Sequence, residues 1–314
     1  MKILVTGGVG LLSTRIVNFL SEQGYEVLLV SRNIKNILFL KNKKTKIQKI
    51  NWDSQKNLEK TCHNIDLIIH CAGINSQESQ LSPFDCYLFN TKIFNNFLRA
   101  AIKKKVKKFI LISSVHVYNS KLTGKITENS KTNNQHPYAV GKLLSEEILL
   151  NSIKYKKIKG LVLRLSNVVG APLKKETNCK SLIVNDFSIQ FFKKNEIKIK
   201  SNPNIKRNYI TMNDFLNVLL IIIIKNTKVY ESNILNLVSN THLSINRILS
   251  LVCSRIEKIY KIQPKILFLT NLKKIENLKF DNKRVKKINY IFKNNFKVEI
   301  DQILKFYQNK YYDK

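Results

Sequence analysis

The stretch Lys2-Ile3-Leu4-Val5-Thr6-Gly7-Gly8-Val9-Gly10, running straight into Leu11-Leu12-Ser13, decides how this chain is read. A short apolar run meets a cluster of glycines, and an amphipathic segment follows to residue 23, where Gly24 closes it. A second apolar run, 27–30, comes next. Strand, glycine turn, helix and strand within about thirty residues make a nucleotide-binding βαβ unit. Glycine lets the backbone approach a pyrophosphate, and the helix N-terminus offers free N–H groups at the positive end of its dipole. Gly7, Gly10, Leu11 and Leu12 are therefore candidate pyrophosphate contacts.

Far downstream, His136-Pro137-Tyr138-Ala139-Val140-Gly141-Lys142 carries a second signal. Tyr138 and Lys142, four apart, share one face of a helix. An ammonium beside a phenol favours the phenolate, so the expectation is that Lys142 lowers the pKa of Tyr138 and makes it a proton carrier. Ser114, at the end of the apolar run 109–114, supplies a hydroxyl for the same reacting oxygen.

The chain has 314 residues and a formal charge of +34, carried by 47 lysines and only 8 arginines. So large a basic excess raises nucleic acid as a partner. The lysines are spread along the chain, however, and arginine, which clamps phosphates and reads bases, is scarce. The skew fits an A+T-rich coding bias, so no nucleic-acid role is expected; the positive field suits a phosphorylated cofactor and substrate. Five widely spaced cysteines without a C-x-x-C pair point to reduced thiols, no metal centre and a cytoplasmic protein. The chain opens on a strand, so no signal peptide is expected, and its longest apolar run, 218–224, is too short to cross a bilayer and reads as a buried helix.

Ordered motifs then accumulate. Thr6-Gly7-Gly8-Val9-Gly10-Leu11-Leu12-Ser13 resembles the T-G-x-x-G-x-x-G signature of the extended short-chain dehydrogenase/reductase superfamily, in its nucleotide-sugar epimerase/dehydratase branch, with Ser13 replacing the last glycine. Looser packing of the first helix with cofactor binding retained is the expected result. Further matches are Trp52-Asp53, His70-Cys71-Ala72-Gly73, Asn90, the S-S-x-x-V-Y segment ending at Tyr118, and Leu163-Arg164-Leu165-Ser166-Asn167-Val168-Val169-Gly170. Arg207 to Asp214 is similar to R-D-F-I-H-V-D-D, with Thr211 in place of the family histidine and Asn213 in place of the first aspartate of the closing pair.

The resemblance implies an α/β fold: a Rossmann-like doubly wound parallel sheet over 1–165, with 207–240 returning to it, and a smaller mixed α/β substrate lobe from 166–206 and 241–314. It implies Ser114, Tyr138 and Lys142 as catalytic residues. It places Gly7, Gly10, Leu11, Leu12, Ser31, Arg32, Asp53, Ala72, Gly73, Asn90 and Lys142 around the cofactor, and Asn167 and Arg207 on the diphosphate of a nucleotide sugar. The implied activity is a 4-keto reductase or 4-epimerase working by hydride transfer. A dehydratase is disfavoured, because Val115 and His116 stand where dehydratases carry an Asp-Glu pair, although His116 is a candidate second acid or base. A catalytically silent cofactor-binding sensor is the alternative. Ser31 and Arg32, with no carboxylate at the end of the second strand, favour NADP over NAD. The resemblance also allows a homodimer through helix faces that include Phe94, Phe97 and Leu98 and Leu143, Leu144, Ile148 and Leu149, positions that fit a core face equally well.

Overall fold

The computed structural model describes residues 1–34, 40, 42–224, 228–269 and 277–312. In chain order come β1 (Lys2–Thr6), α1 (Leu11–Glu22), β2 (Glu26–Ser31), β3 (Thr45–Lys49), α2 (Gln55–Thr61), β4 (Leu67–His70), α3 (Ser76–Leu81), α4 (Pro83–Leu88), a π-helical turn (Phe89–Ile93), α5 (Phe94–Lys103) and β5 (Lys108–Ser114). A 3₁₀ turn (Val115–Val117), β6 (Gly124–Ile126), α6 (Pro137–Lys154), β7 (Lys159–Leu165), β8 (Asn167–Val169), α7 (Ile183–Lys194), β9 (Glu196–Ile199) and β10 (Lys206–Thr211) follow. The chain continues through α8 (Met212–Ile224), a second 3₁₀ turn (Lys228–Ser232), β11 (Ile234–Leu237), β12 (His242–Ser244), α9 (Ile245–Tyr260), β13 (Lys265–Phe268), β14 (Leu278–Phe280), α10 (Lys283–Lys286) and α11 (Phe296–Tyr311).

Seven strands form one sheet in the order β11-β7-β5-β4-β1-β2-β3. β1 pairs in parallel with both β2 and β4, and parallel pairing continues from β2 to β3, β4 to β5 and β5 to β7. The order reverses between β1 and β4, the topological switch point where doubly wound folds bind ligands. Covered on both faces, the central strands β1, β4 and β5 read as continuous apolar runs instead of alternating ones. Ile3, Leu4, Val5, Ile68, Ile69 and Ile110 are fully buried, and each such side chain contributes about 1.5–3 kcal/mol of transfer free energy.

The residues divide into two compact units. The first comprises Met1–Ser120, Ser130–Leu165 and Leu220–Asn236. The second comprises Lys121–Asn129, Ser166–Leu219 and Leu237–Lys314. Three expected boundaries therefore move, the first being the end of the returning segment, which lies at Asn236 and not at 240. The return to the first unit starts at Leu220, not 207, because β10 pairs with β8 and β12 in a second sheet. Lys121–Asn129, assigned by sequence to the first unit, joins the second through parallel pairing of β6 with β14. The second unit packs α7, α9 and α11 around Phe187, Phe191, Val252, Ile256, Ile300 and Tyr307. Within the run 218–224, Val218, Leu219, Ile222 and Ile223 are buried, as expected of an internal helix, while Ile224 is exposed. Among the described residues no helix is long and apolar enough to cross a membrane, and no cluster of His, Cys, Asp or Glu is built to hold a metal.

Candidate active site

The glycine turn between β1 and α1 is shaped by backbone freedom. Gly7 (φ 121°) and Gly8 (φ 56°) lie in the region that L side chains avoid. A Cβ on Gly8 would come within 2.7 Å of Ser31 Oγ. α1 starts at Gly10 with no side-chain cap and no acidic residue in its first turn, which leaves an N-terminus suited to an anion. The Ser13 departure tightens the turn instead of loosening it. Its hydroxyl hydrogen-bonds the Gly8 carbonyl oxygen at 3.0 Å and that of Gly10 at 3.1 Å. Serine thus ties helix to turn by hydrogen bonds where glycine would do so by proximity.

Thr6, last in β1, organises the neighbouring strand end. Its Oγ1 accepts the N–H groups of Cys71 (3.1 Å) and Ala72 (3.0 Å) and lies 3.0 Å from His70 Nδ1. The hydroxyl has one hydrogen, which goes to Nδ1, so His70 is the neutral tautomer protonated at Nε2. Burial, aided by the Lys142 charge, pushes the His70 pKa down to about 3. The ring sits among Trp52, Phe94, Phe97 and Phe109. Trp52 is therefore core, while its neighbour Asp53 faces solvent.

Ser114, Tyr138 and Lys142 converge. Ser114 caps the 3₁₀ turn after β5, its Oγ accepting the His116 N–H at 3.2 Å, and it hydrogen-bonds Tyr138. α6 begins with a sequence-coded start: Pro137 occupies the first turn and the His136 ring accepts the Tyr138 N–H at 3.2 Å. Tyr138 is thereby fixed one turn before Lys142, whose Nζ lies 6.0 Å from the phenol ring centre. Lys142 is 6 % exposed and donates to the Ile112 carbonyl oxygen at 3.1 Å. Gly73 makes room for it, since a Cβ there would stand 3.2 Å from Nζ.

The electrostatics correct one expectation. Burial raises the Tyr138 pKa, the Ser114 hydrogen bond acts the other way, and Lys142 is not the controlling charge in the protein alone. Burial also lowers the Lys142 pKa, with Cys71, Cys86 and Glu146 acting in the opposite direction. A phenol that holds its proton in a dry site donates well to a developing alkoxide and needs a cation nearby to give that proton up.

Asn90, expected at the cofactor, is 4 % exposed and committed elsewhere. It lies in the π-helical turn, donates to the Cys86 carbonyl oxygen at 2.8 Å and accepts from Ser145 of α6 at 3.0 Å. A Cβ on Gly141 would approach Cys86 Sγ to 2.8 Å and Asn90 Nδ2 to 2.9 Å. α6 therefore lies hard against this turn, and Asn90 acts on its position. Phe94, Phe97 and Leu98 are buried in the first unit's core, not on a subunit face; Leu149 is buried with them, while Leu143, Leu144 and Ile148 are partly exposed.

Two site residues lay outside the sequence-derived set. Glu146 is fully buried one turn beyond Lys142, and Arg164 is 4 % exposed in β7. Arg164 meets Glu146 through Nη2–Oε2 at 2.6 Å and Nε–Oε2 at 3.0 Å, and its Nη1 donates to Tyr118 Oη at 3.0 Å. The available signal was an arginine inside an apolar strand and a carboxylate at i+4 from the lysine.

Of the other expected residues, Ser31 donates its hydroxyl to the Asn33 carbonyl oxygen at 2.9 Å, and Arg32 is exposed. In the second unit, Asn167 donates to the Asn208 carbonyl oxygen at 2.9 Å and Arg207 is half-buried. Asp214 is fully buried and accepts from Thr211 Oγ1 (2.7 Å), Tyr290 Oη (2.7 Å) and the N–H groups of Lys293 and Asn294 (2.9 Å each). His116 is partly buried, and its backbone binds Ser114 and Asn134.

A Rossmann sheet with a glycine cradle at its switch point, and a Ser–Tyr–Lys constellation at the ends of β5 and α6, defines a dinucleotide-binding fold of the short-chain type. The family model for the NAD dependent epimerase/dehydratase family matches residues 3–237, and the chain belongs to this family. It is 31 % identical over 183 residues to a UDP-glucose 4-epimerase of Yersinia enterocolitica, a match covering 54 % of each chain. The chain thus spans about half the length of such curated relatives. It is 27 % identical over 256 residues to a GDP-6-deoxy-D-talose 4-dehydrogenase of Aggregatibacter actinomycetemcomitans, covering 81 % of this chain and 79 % of that one. Its fold is similar to that of a UDP-glucose 4-epimerase of Thermotoga maritima solved with UDP-glucose, with a TM-score of 0.83 at 20 % identity over 98 % of this chain and 99 % of that one.

Proposed function

We propose that the protein is an oxidoreductase or epimerase that handles the C4 carbinol or carbonyl of a nucleotide-diphosphate sugar. The observation that carries this reading is the convergence of Ser114, Tyr138 and Lys142 beside Gly73 in a chain of this family. Ser114 and Tyr138 hydrogen-bond the sugar oxygen, and Tyr138 gives or takes its proton. Lys142 holds the cofactor ribose and stabilises the phenolate as it forms. A nicotinamide cofactor held by Gly7, Gly10, the N-terminus of α1, Ala72 and Gly73 supplies the hydride chemistry. Asn167 and Arg207 of the second unit bind the diphosphate; the planar donors of arginine suit phosphate oxygens.

The sequence-based preference for NADP gives way here to NAD. Ser31 uses its hydroxyl within its own loop, leaving Arg32 alone to meet a 2′-phosphate, and the family description names NAD. Paired dissociation constants test this, and tenfold tighter binding of NADPH than NADH would reverse it. Epimerase is the preferred reaction with bound NAD, and the similarity to a 4-dehydrogenase over most of the chain supports 4-keto reduction as the second reading. The partly buried Leu143 and Leu144 of α6 support a homodimer, which sedimentation velocity decides.

The deciding experiment incubates purified protein with UDP- and GDP-hexoses, and separately with 4-keto sugars and NADH. Wild-type conversion that Tyr138→Phe abolishes supports the reading. Cofactor binding without conversion across that panel points instead to the sensor alternative.

A further inference from the structure

We propose that Glu146 is a positioning residue for the reaction: locked by Arg164 and joined to Ser113, it sets the depth of α6 against the end of β5 and so the place of Tyr138 and Lys142 relative to Ser114. The inference rests on the function proposed above. Ser113 immediately precedes Ser114 and, by strand alternation, points to the opposite face. Its Oγ donates to Glu146 Oε1. One turn earlier on the same helix face, Lys142 Nζ donates to the Ile112 carbonyl oxygen. Two bonds from α6 thus grip β5 just ahead of Ser114, one from each of two successive helical turns.

The grip is rigid because its anchor is paired and buried. Arg164 is the register partner of Ser113 across the β5–β7 ladder. Its guanidinium holds both Glu146 oxygens, and it is braced by Tyr118, whose Oη donates to Asn236 Oδ1 at 2.6 Å. Burial works against the charge on Arg164, and the Glu146 contact outweighs it. A buried ion pair adds little net stability over a well-packed apolar pair; here its three directional bonds fix how the Glu146 carboxylate is held. The buried face of α6 reads Ala139, Gly141, Lys142, Ser145, Glu146, Leu149: small or polar over its first two turns, and registered there by directional bonds. Glu146 is also the carboxylate among the groups that support the Lys142 ammonium.

Three variants test this. Ser113→Ala removes the link to β5 and leaves the ion pair intact. Glu146→Gln removes the charge and risks folding, because Arg164 is left buried without its counter-ion. The double change Glu146→Met with Arg164→Met keeps the volume and the fold while deleting the registered contact. The expected result, in folded Ser113→Ala and in the double variant, is a kcat lowered between about ten- and a hundredfold with KM for the sugar nucleotide unchanged. In parallel, the ¹⁹F resonance of 3-fluorotyrosine placed at position 138 moves toward that of the free amino acid. A wild-type fluorine resonance and wild-type kcat in the folded double variant would overturn the proposal and leave the pair a fold element only. A wild-type chain that converts no sugar nucleotide would defeat the proposed function instead, and the fluorine resonance alone would then decide whether Glu146 positions Tyr138.

Discussion

The two units answer the same need for buried order in different ways. In the first, apart from Ser13, the candidate site follows the family pattern, and missing side chains carry much of the work: Gly7, Gly8 and Gly73 leave space, while the Thr6 hydroxyl gathers two backbone N–H groups. In the second, the chain departs from the pattern at Thr211 and Asn213, and side chains make up the difference. Thr211 caps α8 by accepting the Asp214 N–H at 3.1 Å and donating back to its carboxylate. The Asn213 N–H goes to Glu299 at 2.9 Å. A site held by backbone geometry tolerates few residue types, while one held by a carboxylate hub can exchange its satellites and keep the hub.

That contrast can be broken at four points. The largest effect is expected at Tyr138→Phe, with turnover reduced at least about a thousandfold and the cofactor dissociation constant unchanged by titration. Comparable loss of cofactor affinity would move the residue from chemistry to binding. Next, Asp214→Ala should destabilise the second unit by about 3 kcal/mol or more, since it removes a fully buried acceptor from four donors at once. Urea unfolding reads this, and a shift below about 1 kcal/mol would show that the hub is dispensable.

The third effect is a pH dependence. His70 is neutral when folded, with its pKa pushed to about 3, and free to protonate at its ordinary 6.5 when unfolded. The unfolded chain therefore binds the extra proton between those values. The contribution is fully present above pH 6.5 and is lost on acidification, at about 1.4 kcal/mol per unit. Melting temperature should fall from pH 6.5 toward 4.5, and His70→Asn should flatten that limb; an unchanged slope would assign the limb to other groups. The smallest effect is at Ser13→Ala, about 1 kcal/mol of stability with nearly wild-type cofactor affinity. A large affinity loss would mean that the hydroxyl touches the ligand itself.

The sequence showed the parts whose signal is local. Gly7 to Gly10 between two apolar runs, and Pro137 before Tyr138, announce a turn and a helix start in a few residues each. The partners of Glu146 and Asp214 were hidden because they arrive from far along the chain: Arg164 is 18 residues from Glu146, and Tyr290 is 76 from Asp214. At α6 the leucines fit a subunit face or a core face equally, and the helix divides them: Leu149 turns inward with Ala139, Gly141, Lys142, Ser145 and Glu146, while Leu143 and Leu144 are only partly buried. Domain limits shifted where strand pairing between distant segments, β6 with β14, outweighed chain order.

The π-helical turn at Phe89–Ile93 is in effect one surplus residue spliced into a helical path that runs from α4 to α5. Each residue of an α-helix advances the face by about 100°. Removing one residue from this turn would leave two incompatible demands on a single rod. Either Asn90 keeps its hold on Ser145 and the Phe94–Phe97–Leu98 face swings out of the core, or those aromatics stay and Asn90 turns away. A deletion here should therefore be far more damaging than any substitution of Thr91 or Lys92, which line the same turn and touch neither end of the bargain.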